Sequence, residues 1–220
     1  MTASYRTVVG AFAGTGLLVR GGFQPSEGET GSLVLIGNAG PEMWAGFAAG
    51  RKDEPDPLDA WTRRVVNPLA RQLGADAVYP NDRPYQPFQS WAKRAEPVYP
   101  SPLGILIHPE YGLWHAYRAA LRFPHILDGL PARKDVPSPC DSCAGKPCLS
   151  ACPVGAFDGK SYDVEACAGH LRDGDVPDCA NLGCRARDAC PIATGWRYPP
   201  EQIAFHMAAF VKSRGGPWPR

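Results

Sequence analysis

The apolar and polar positions of the N-terminal part of the chain predict short elements joined by glycine-rich turns. A helix is expected over residues 7–13 and a strand over residues 17–19, and a polar loop is expected over residues 24–31. The clearest strand covers residues 32–36, which form a short apolar run rich in β-strand formers. This strand is expected to end in the glycine-containing sequence at residues 37–40.

Two helices and a further strand are predicted next. Pro41 suits the first turn of one helix. The other helix has Asp56 in the N-cap position and Pro57 in the first helical position. Its apolar residues recur at helical spacing and predict a stripe that faces the core, formed by Leu58, Trp61, Val65, Leu69 and Leu73. Residues 77–79 predict a strand after it.

The segment 80–102 contains six prolines interleaved with aromatic residues. Globular loops of this length rarely lack a function. The segment either covers the core as an extended ribbon or wraps a large flat ligand, and its composition does not separate these two interpretations. Beyond it, residues 104–108 and 113–123 predict two strands joined by a turn at residues 109–112, and residues 201–211 predict a helix.

Length and charge limit the classes of protein to which the chain can belong. Its 220 residues suffice for one substantial core, or for one core and a small second unit. The formal net charge of +1 gives no global field that would favour nucleic acid or an anionic membrane as a partner. No apolar run reaches the ~18 residues that span a bilayer. Residues 8–19 are interrupted by glycines and lack a cleavage site, so no export signal is predicted and a cytoplasmic location is expected.

All eight cysteines of the chain lie in one stretch near its C-terminal end. The first four have the spacing Cys140-x2-Cys143-x4-Cys148-x3-Cys152-Pro153. An isolated Cys167 follows, and the last three have the spacing Cys179-x4-Cys184-x5-Cys190-Pro191. Eight soft thiolates are more than one zinc ion needs, whereas two cubane iron–sulfur clusters need eight.

The Cys-Pro dipeptide that closes each half of this stretch resembles the bacterial two-cluster ferredoxins. In those proteins the cysteine before the proline ligates the other cluster. The resemblance implies two 4Fe–4S clusters with crossed sets of metal ligands. One set is Cys140, Cys143, Cys148 and Cys190. The other set is Cys152, Cys167, Cys179 and Cys184.

Other arrangements of the cysteines fit the sequence less well. A disulfide framework needs an oxidising compartment, and no export signal is predicted. Zinc modules usually pair one CxxC with a second CxxC or HxxxH, and the Cys-Pro closures have no role in them. The gap between Cys143 and Cys148, and the gaps that follow Cys179 and Cys184, are longer than in bacterial ferredoxins. The longer gaps affect the assignment of individual cysteines to one cluster or the other more than they affect the prediction of two clusters.

Segments on both sides of the cysteine stretch carry a second pattern. It comprises Leu33-Val34-Leu35 with Met43-Trp44, Asp56-Pro57-Leu58-Asp59, Pro80-Asn81 with Arg83-Pro84, Gly104-Ile105-Leu106-Ile107-His108-Pro109 with Tyr111-Gly112 and Trp114, and Arg197-Tyr198 with Glu201-Gln202 and Ala204-Phe205. In this order the segments resemble the cobalamin-processing CblC family, over residues 10–125 and 195–210. A cobalamin domain joined to a two-cluster ferredoxin is also similar to epoxyqueuosine reductase and, more distantly, to the reductive dehalogenases.

The resemblance implies an α+β fold with two kinds of domain. A CblC-like domain of the flavin-reductase or nitroreductase kind, built on an antiparallel sheet, would occupy residues 1–131. An inserted bacterial ferredoxin-like domain with two clusters would occupy residues 132–194. Residues 195–220 would form a C-terminal helix that returns to the first domain.

The same resemblance implies a base-off corrinoid lying over the sheet. The residues expected to contact it are His108, Tyr111, Gly112 and Trp114, together with Pro84, Phe88, Gln89 and Trp91 from the proline-rich segment. The chain contains no Asp-x-His-x-x-Gly motif that would supply a lower axial histidine, which agrees with a base-off corrinoid. The glutathione-binding arginines of the family have no assigned counterparts here.

The function implied is that of an oxidoreductase: a cobalamin-binding iron–sulfur reductase that reduces the cobalt and removes its upper ligand. An external ferredoxin, flavodoxin or flavoprotein of low potential would supply the electrons, and neither nucleic acid nor a membrane is expected as a partner. One alternative is a cobalamin enzyme acting on an organic substrate, which needs a general acid such as Glu110 or Asp59. The other alternative is a ferredoxin-type electron carrier with a docking domain.

Overall fold

The computed structural model describes residues 3–25, 31–172 and 178–214, which divide into two compact units. The first, here called the sheet unit, comprises Met1–Val98 and His115–Val136. The second, here called the cysteine unit, comprises Tyr99–Trp114 and Pro137–Arg220. Helices together with an antiparallel sheet confirm the predicted α+β class. Within the described ranges, no helix has the length and apolar character needed to cross a bilayer.

The sheet unit is built on four antiparallel strands. In spatial order they are β1 (Leu18–Phe23), β2 (Ser32–Ala39), β6 (His115–Phe123) and β3 (Asp76–Val78). Every residue of β2 is buried, as expected for a central strand covered on both faces. Most of the predicted loop at residues 24–31 lies outside the described residues.

Strand β2 continues beyond the point at which the sequence predicted its end. The glycine at position 37 was expected to stop the strand, but β2 runs through it to Ala39. A Cβ atom on Gly37 would lie 2.2 Å from the carbonyl oxygen of Ala116 on β6. The glycine is therefore needed for the close approach of two strands at a register shift, not for a turn.

Four helices belong to the sheet unit. They are α1 (Tyr5–Phe12), α2 (Glu42–Gly50), α3 (Pro57–Leu73) and α4 (Phe88–Ala95). Pro57 opens α3 as predicted, but Asp56 has a left-handed backbone with φ of 45° and its side chain makes no capping hydrogen bond. The predicted stripe is right at three positions and wrong at Val65 and Leu69, which are only half-buried. The buried face instead uses Leu58, Trp61, Thr62, Val66, Ala70 and Leu73.

The proline-rich segment is not an extended ribbon, because α4 lies in its middle. Phe88, Ala92 and Ala95 are buried at helical spacing on one face of this helix. The prolines of the segment lie outside the helix and set its limits, and Pro87 directly precedes its first residue. The helix was not predicted because the segment as a whole is rich in proline, although the eight residues of α4 contain none.

The predicted hairpin over residues 104–123 is wrong in its pairing. Its first strand, β5 (Leu106–Ile107), pairs with β4 (Tyr99–Pro100) in the cysteine unit. The turn does form, since His108 and Gly112 exchange backbone hydrogen bonds of 2.9 and 2.8 Å. The second strand, β6, pairs with β2 and β3 in the sheet unit. The two halves of the predicted hairpin therefore separate after Trp114.

The cysteine unit contains short helices and one longer one. They are α5 (Pro147–Ser150), α6 (Val164–Arg172), a π-helical turn (Asp178–Leu182), α7 (Arg185–Asp188), a 3₁₀ turn (Thr194–Trp196) and α8 (Pro200–Ser213). Helix α8 belongs to this unit, because Val211 is buried together with Leu171, Cys179 and Ala180. The division therefore differs from the predicted domain limits, which assigned residues 99–114 and the C-terminal helix to the first domain.

Candidate metal centre: two cavities lined by four cysteines each

The first cavity of the cysteine unit is lined by four of the eight cysteines, Cys140, Cys143, Cys148 and Cys190. The space between its walls, which is partly open to solvent, is about 360 Å³. Its walls are mostly apolar, and Leu103, Ile107 and Leu113 are buried beside the thiols. Segment 99–114 thus supplies one wall of a cavity whose thiols come from a stretch that begins at Cys140.

The second cavity is lined by the other four cysteines, Cys152, Cys167, Cys179 and Cys184. The space between its walls, which is also partly open to solvent, is about 330 Å³. Its walls include Phe157 and Leu171, and also the side chains of His170, Arg185 and Met207. The structure therefore brings the cysteines together in the two groups of four that the crossed order describes.

The electrostatic interactions among the thiols follow the same grouping. Burial, and secondarily the neighbouring sulfur atoms, raise the pKa of five of them, Cys140, Cys148, Cys190, Cys167 and Cys184. The sulfur atoms that act on Cys140 belong to Cys190, Cys148 and Cys143. Those that act on Cys184 belong to Cys167 and Cys179. Each thiol is thus affected by sulfur atoms of its own cavity.

Two very short helices distribute the cysteines between the cavities. Helix α7 has Cys184 at its N-cap and Cys190 just beyond its end, and these two line different cavities. Helix α5 likewise contains Cys148 and is soon followed by Cys152. The chain therefore passes from one cavity to the other within a few residues at both places.

The donors in each cavity fit an iron–sulfur cluster. All eight cysteines are free thiols. Four thiolates are the ligands that one cubane cluster takes from a protein. In the described part of the chain, no three His, Cys, Asp or Glu side chains lie close enough together to hold a single metal ion. The four thiols of each cavity surround a space rather than one point.

The expected cobalamin contacts in segment 108–114 are mainly buried within the cysteine unit. His108 is 7% exposed, and its Nδ1 accepts hydrogen bonds from the backbone N–H groups of Glu110 and Tyr111 at 3.0 and 3.3 Å. Its ring stacks on Tyr111 with centroids 4.4 Å apart. Gly112 has a φ of 56° and lies directly against the backbone of Ile192. These residues thus shape the turn beside the first cavity.

The other expected cobalamin contacts lie in the sheet unit. Pro84 and Gln89 are exposed, Trp91 is half-buried and Phe88 is buried. The rings of Phe88 and Trp91 on α4 lie 5.1 Å apart. On α4, Gln89 is therefore exposed and Trp91 partly so, whereas Phe88 packs inward.

Sequence reasoning missed Arg187, which holds the cysteine unit together beside the first cavity. Its guanidinium lies between the rings of Trp114 and Tyr198, at 4.3 and 4.8 Å from their centroids. It also donates a hydrogen bond to the carbonyl oxygen of Leu113. The arginine follows Cys184 by three residues, and no local pattern marks it, because Trp114 comes from a distant segment and Tyr198 lies beyond the next turn of the chain.

The two candidate general acids lie in different units. Asp59 is on α3 of the sheet unit, and burial is the largest effect on its carboxyl group and raises its pKa. The charge of Arg118 opposes this effect. Glu110 lies in the turn between His108 and Gly112 of the cysteine unit. Asp59 therefore has the property that a general acid needs, a carboxyl that holds its proton more strongly than usual.

Comparison with known proteins shows the fold of the chain. Neither a protein-family model nor a curated protein matches it by sequence. The solved structure of CblC, a B12-trafficking protein of C. elegans, matches with a TM-score of 0.57 and 14% identity. This match covers 94% of the chain and 91% of CblC. The chain therefore has the CblC fold, as the resemblance implied.

Epoxyqueuosine reductases also match, over part of their length. The enzyme from Bacillus subtilis has a TM-score of 0.48 and 17% identity, and the match covers 78% of the chain. An epoxyqueuosine reductase bound to a tRNA stem loop has a TM-score of 0.44 and 19% identity, with 85% of the chain covered. The chain spans about half the length of these reductases, 52% and 54% respectively. That the chain binds no nucleic acid stays a prediction.

Proposed function

We propose that the chain is a cobalamin-binding iron–sulfur reductase. The observation that carries this proposal is the division of the cysteines into two cavities of four, in a chain with the CblC fold. Two 4Fe–4S clusters held in a ferredoxin-like cysteine unit would supply electrons to base-off cobalamin, so that the cobalt is reduced and its upper ligand is lost.

The cysteines would hold the clusters in crossed sets. Cys140, Cys143, Cys148 and Cys190 would hold one cluster, and Cys152, Cys167, Cys179 and Cys184 the other. The apolar walls of the first cavity, which include Leu103 and Ile107, would limit access of water to its cluster. Solvent exposure is one of the properties that set the potential of an iron–sulfur cluster.

The residues that the resemblance implies as corrinoid contacts are proposed as such here. The proposed contacts are His108, Tyr111, Gly112, Trp114, Pro84, Phe88, Gln89 and Trp91. Because Nδ1 of His108 accepts two backbone hydrogen bonds, the ring proton is on Nε2, so neither ring nitrogen would be available as a cobalt ligand. This arrangement supports a corrinoid without a lower protein ligand.

The proposal also names a partner and a compartment. An external ferredoxin, flavodoxin or flavoprotein would deliver one electron at a time to the clusters. Joining the clusters and the corrinoid in one chain replaces a bimolecular transfer by an intramolecular one. A cytoplasmic location would keep the eight thiols reduced before the clusters are assembled.

An anaerobic titration of the reconstituted full-length chain with cob(II)alamin tests the proposal. We expect eight irons per chain, a base-off Co(II) signal in electron paramagnetic resonance, and loss of that signal to Co(I) when the clusters are reduced. Eight irons with an unperturbed cobalt signal would instead support the electron-carrier alternative. Fewer than eight irons in a folded chain would exclude two cubane clusters.

A pair of adjacent variants on α4 tests the proposed corrinoid surface. Gln89 and Ser90 are both exposed, and only Gln89 is a proposed contact. We expect Gln89→Ala to weaken cob(II)alamin binding several-fold and Ser90→Ala to leave it unchanged. Equal affinities for the two variants would remove Gln89 from the proposed site.

A further inference from the structure

The side chains around the two cavities differ in the hydrogen bonds that they can donate. Besides its thiols, the first cavity has two polar side chains in its walls, Ser101 and Lys146. The hydroxyl group of Ser101 donates to the carbonyl oxygen of Ile105 at 2.7 Å, so its proton is already used. Lys146 therefore remains as the side-chain donor of that cavity.

The second cavity has a tyrosine directly on one of its thiols. The phenol of Tyr162 acts on the sulfur of Cys167 as a hydrogen-bond donor would, since it opposes the rise in the pKa of that thiol that burial causes. The ring of Tyr162 stacks on Phe157 with centroids 4.5 Å apart and planes 12° apart, which holds the phenol in place. A backbone bridge between Phe157 and Tyr162 fixes the same pair.

The second cavity also has a buried histidine nitrogen in its wall. His170 lies on α6, three residues after Cys167, so both side chains are on the same helix face. Its Nε2 atom is buried and, among the described residues, has no hydrogen-bond partner. A buried polar atom without a hydrogen-bond partner destabilises the fold. A sulfide or thiolate in the cavity would supply the missing acceptor.

The remaining polar groups do not separate the two cavities. Each cavity has one cationic side chain in its wall, Lys146 in the first and Arg185 in the second. Backbone N–H groups reach sulfur atoms in both, such as that of Ile192 to Cys190 and that of Ala156 to Cys152. The main difference is therefore the pair of side-chain donors, Tyr162 and His170.

We infer that the cluster held by Cys152, Cys167, Cys179 and Cys184 has the higher reduction potential and takes the first electron, and that Tyr162 and His170 are the positioning residues that raise its potential. The inference rests on the proposed function. In this step an external one-electron donor is oxidised, the cluster gains one electron, and no proton moves. Because reduction adds negative charge to the cluster, hydrogen bonds to its sulfur atoms stabilise the reduced form.

An anaerobic redox titration monitored by electron paramagnetic resonance, with dithionite as reductant, tests the inference on the reconstituted full-length chain. We expect two separate potentials in the unmodified protein. Tyr162→Phe and His170→Leu should each reduce the equilibrium constant for the first reduction about tenfold, which is about 59 mV for one electron. His170→Gln retains an N–H donor and should shift the potential less than His170→Leu.

Two control variants make the result specific. His125 also has a buried Nε2 without a hydrogen-bond partner among the described residues, but it belongs to the sheet unit. We expect His125→Leu to leave both potentials unchanged. Cys143→Ser alters the first cavity and should therefore change the lower potential, which assigns the two signals to their cavities.

The outcomes separate this inference from the proposed function. If the unmodified chain holds fewer than eight irons, the proposed function fails and the inference fails with it. If it holds eight irons but Tyr162→Phe and His170→Leu leave the higher potential unchanged, or shift the lower one instead, the inference alone is overturned. A decrease in the higher potential with eight irons retained supports both.

Discussion

Gly112 and Ile192 lie so close together that a side chain at position 112 has no room. A Cβ atom on Gly112 would lie 2.5 Å from the carbonyl oxygen of Ile192, and the φ of Gly112 is 56°. Ile192 follows the Cys190-Pro191 pair, so this contact joins the turn at His108 to the segment that carries a thiol of the first cavity. The close approach depends on glycine for space as well as for conformation.

Substitution of Gly112 tests that contact. A positive φ alone costs an alanine about 1 kcal/mol. We expect Gly112→Ala to lower the free energy of unfolding by more than this, because the alanine also displaces the Ile192 backbone. Gly104→Ala is the matched control, since Gly104 has a φ of 74° in the same unit and no atom within 4 Å of its added Cβ. Chemical denaturation of both variants measures the difference, and equal losses would contradict the contact.

Single cysteine substitutions test the crossed partition of the thiols. We expect Cys190→Ser to alter the same cluster signal as Cys140→Ser, although 50 residues separate the two positions, because both line the first cavity. Cys184→Ser, only six residues from Cys190, should alter the other signal. Electron paramagnetic resonance of the reduced variants distinguishes the two signals. An uncrossed partition would instead give Cys184→Ser and Cys190→Ser the same effect.

The buried ion pair of the sheet unit gives a prediction about stability. The guanidinium of Arg20 donates two hydrogen bonds of 2.8 Å to Glu96, and its side chain is 1% exposed. Glu96→Gln would leave that positive charge buried without a counter-charge, so we expect a loss of about 3–5 kcal/mol in the free energy of unfolding. Glu54→Gln, which breaks a partly exposed pair with Arg64, should cost at most about 1 kcal/mol. Urea denaturation of both variants measures this contrast, and a similar loss for the two would contradict it.

Asp82 gives a prediction about pH. Burial alone would raise the pKa of its carboxyl group, but hydrogen bonds from Arg63 and the backbone N–H of Tyr79, with the charge of Arg63, lower it below the usual 3.8. Because the pKa is lower in the folded state, the carboxylate stabilises the fold above pH 3.8, and this contribution is lost as the pH falls through the folded-state pKa.

Comparison of Asp82→Asn with the unmodified chain at several pH values tests this prediction. We expect Asp82→Asn to be less stable by about 0.5 kcal/mol at neutral pH, because the pair with Arg63 is partly exposed. The difference should disappear in acid. Asp53→Asn, at an exposed position, is the control for the substitution itself. A difference that persists below the folded-state pKa would contradict the assignment.

The sequence predicted the elements with a strong local signal and missed those set by distant contacts. The apolar run at residues 32–36 and the Pro57 start of α3 were evident from composition and helix-start chemistry. The partner of β5 was not, because β4 is two residues long and ends in a proline. Such a strand shows neither alternation nor β-branched residues, and its position depends on packing around the first cavity.

The same distinction applies to the candidate site. Cysteine identity and order are visible in the sequence, so the eight candidate ligands could be named from it. The position of His170 beside Cys167 was not predicted, because no helix was predicted over the residues that form α6, and Tyr162 precedes that helix without a spacing signature. Arg187 was missed because Trp114 and Tyr198 approach it only in the folded unit.

The short connections through α5 and α7 limit how far apart the two cavities can be. Cys148 and Cys152 are four residues apart and line different cavities, so their Cα atoms cannot be separated by more than about 14 Å even in a fully extended chain. The separation of the two centres is therefore bounded by covalent geometry as well as by side-chain packing. This limit would hold even when the surrounding unit loosens, and lengthening the connection by inserted residues would relax it.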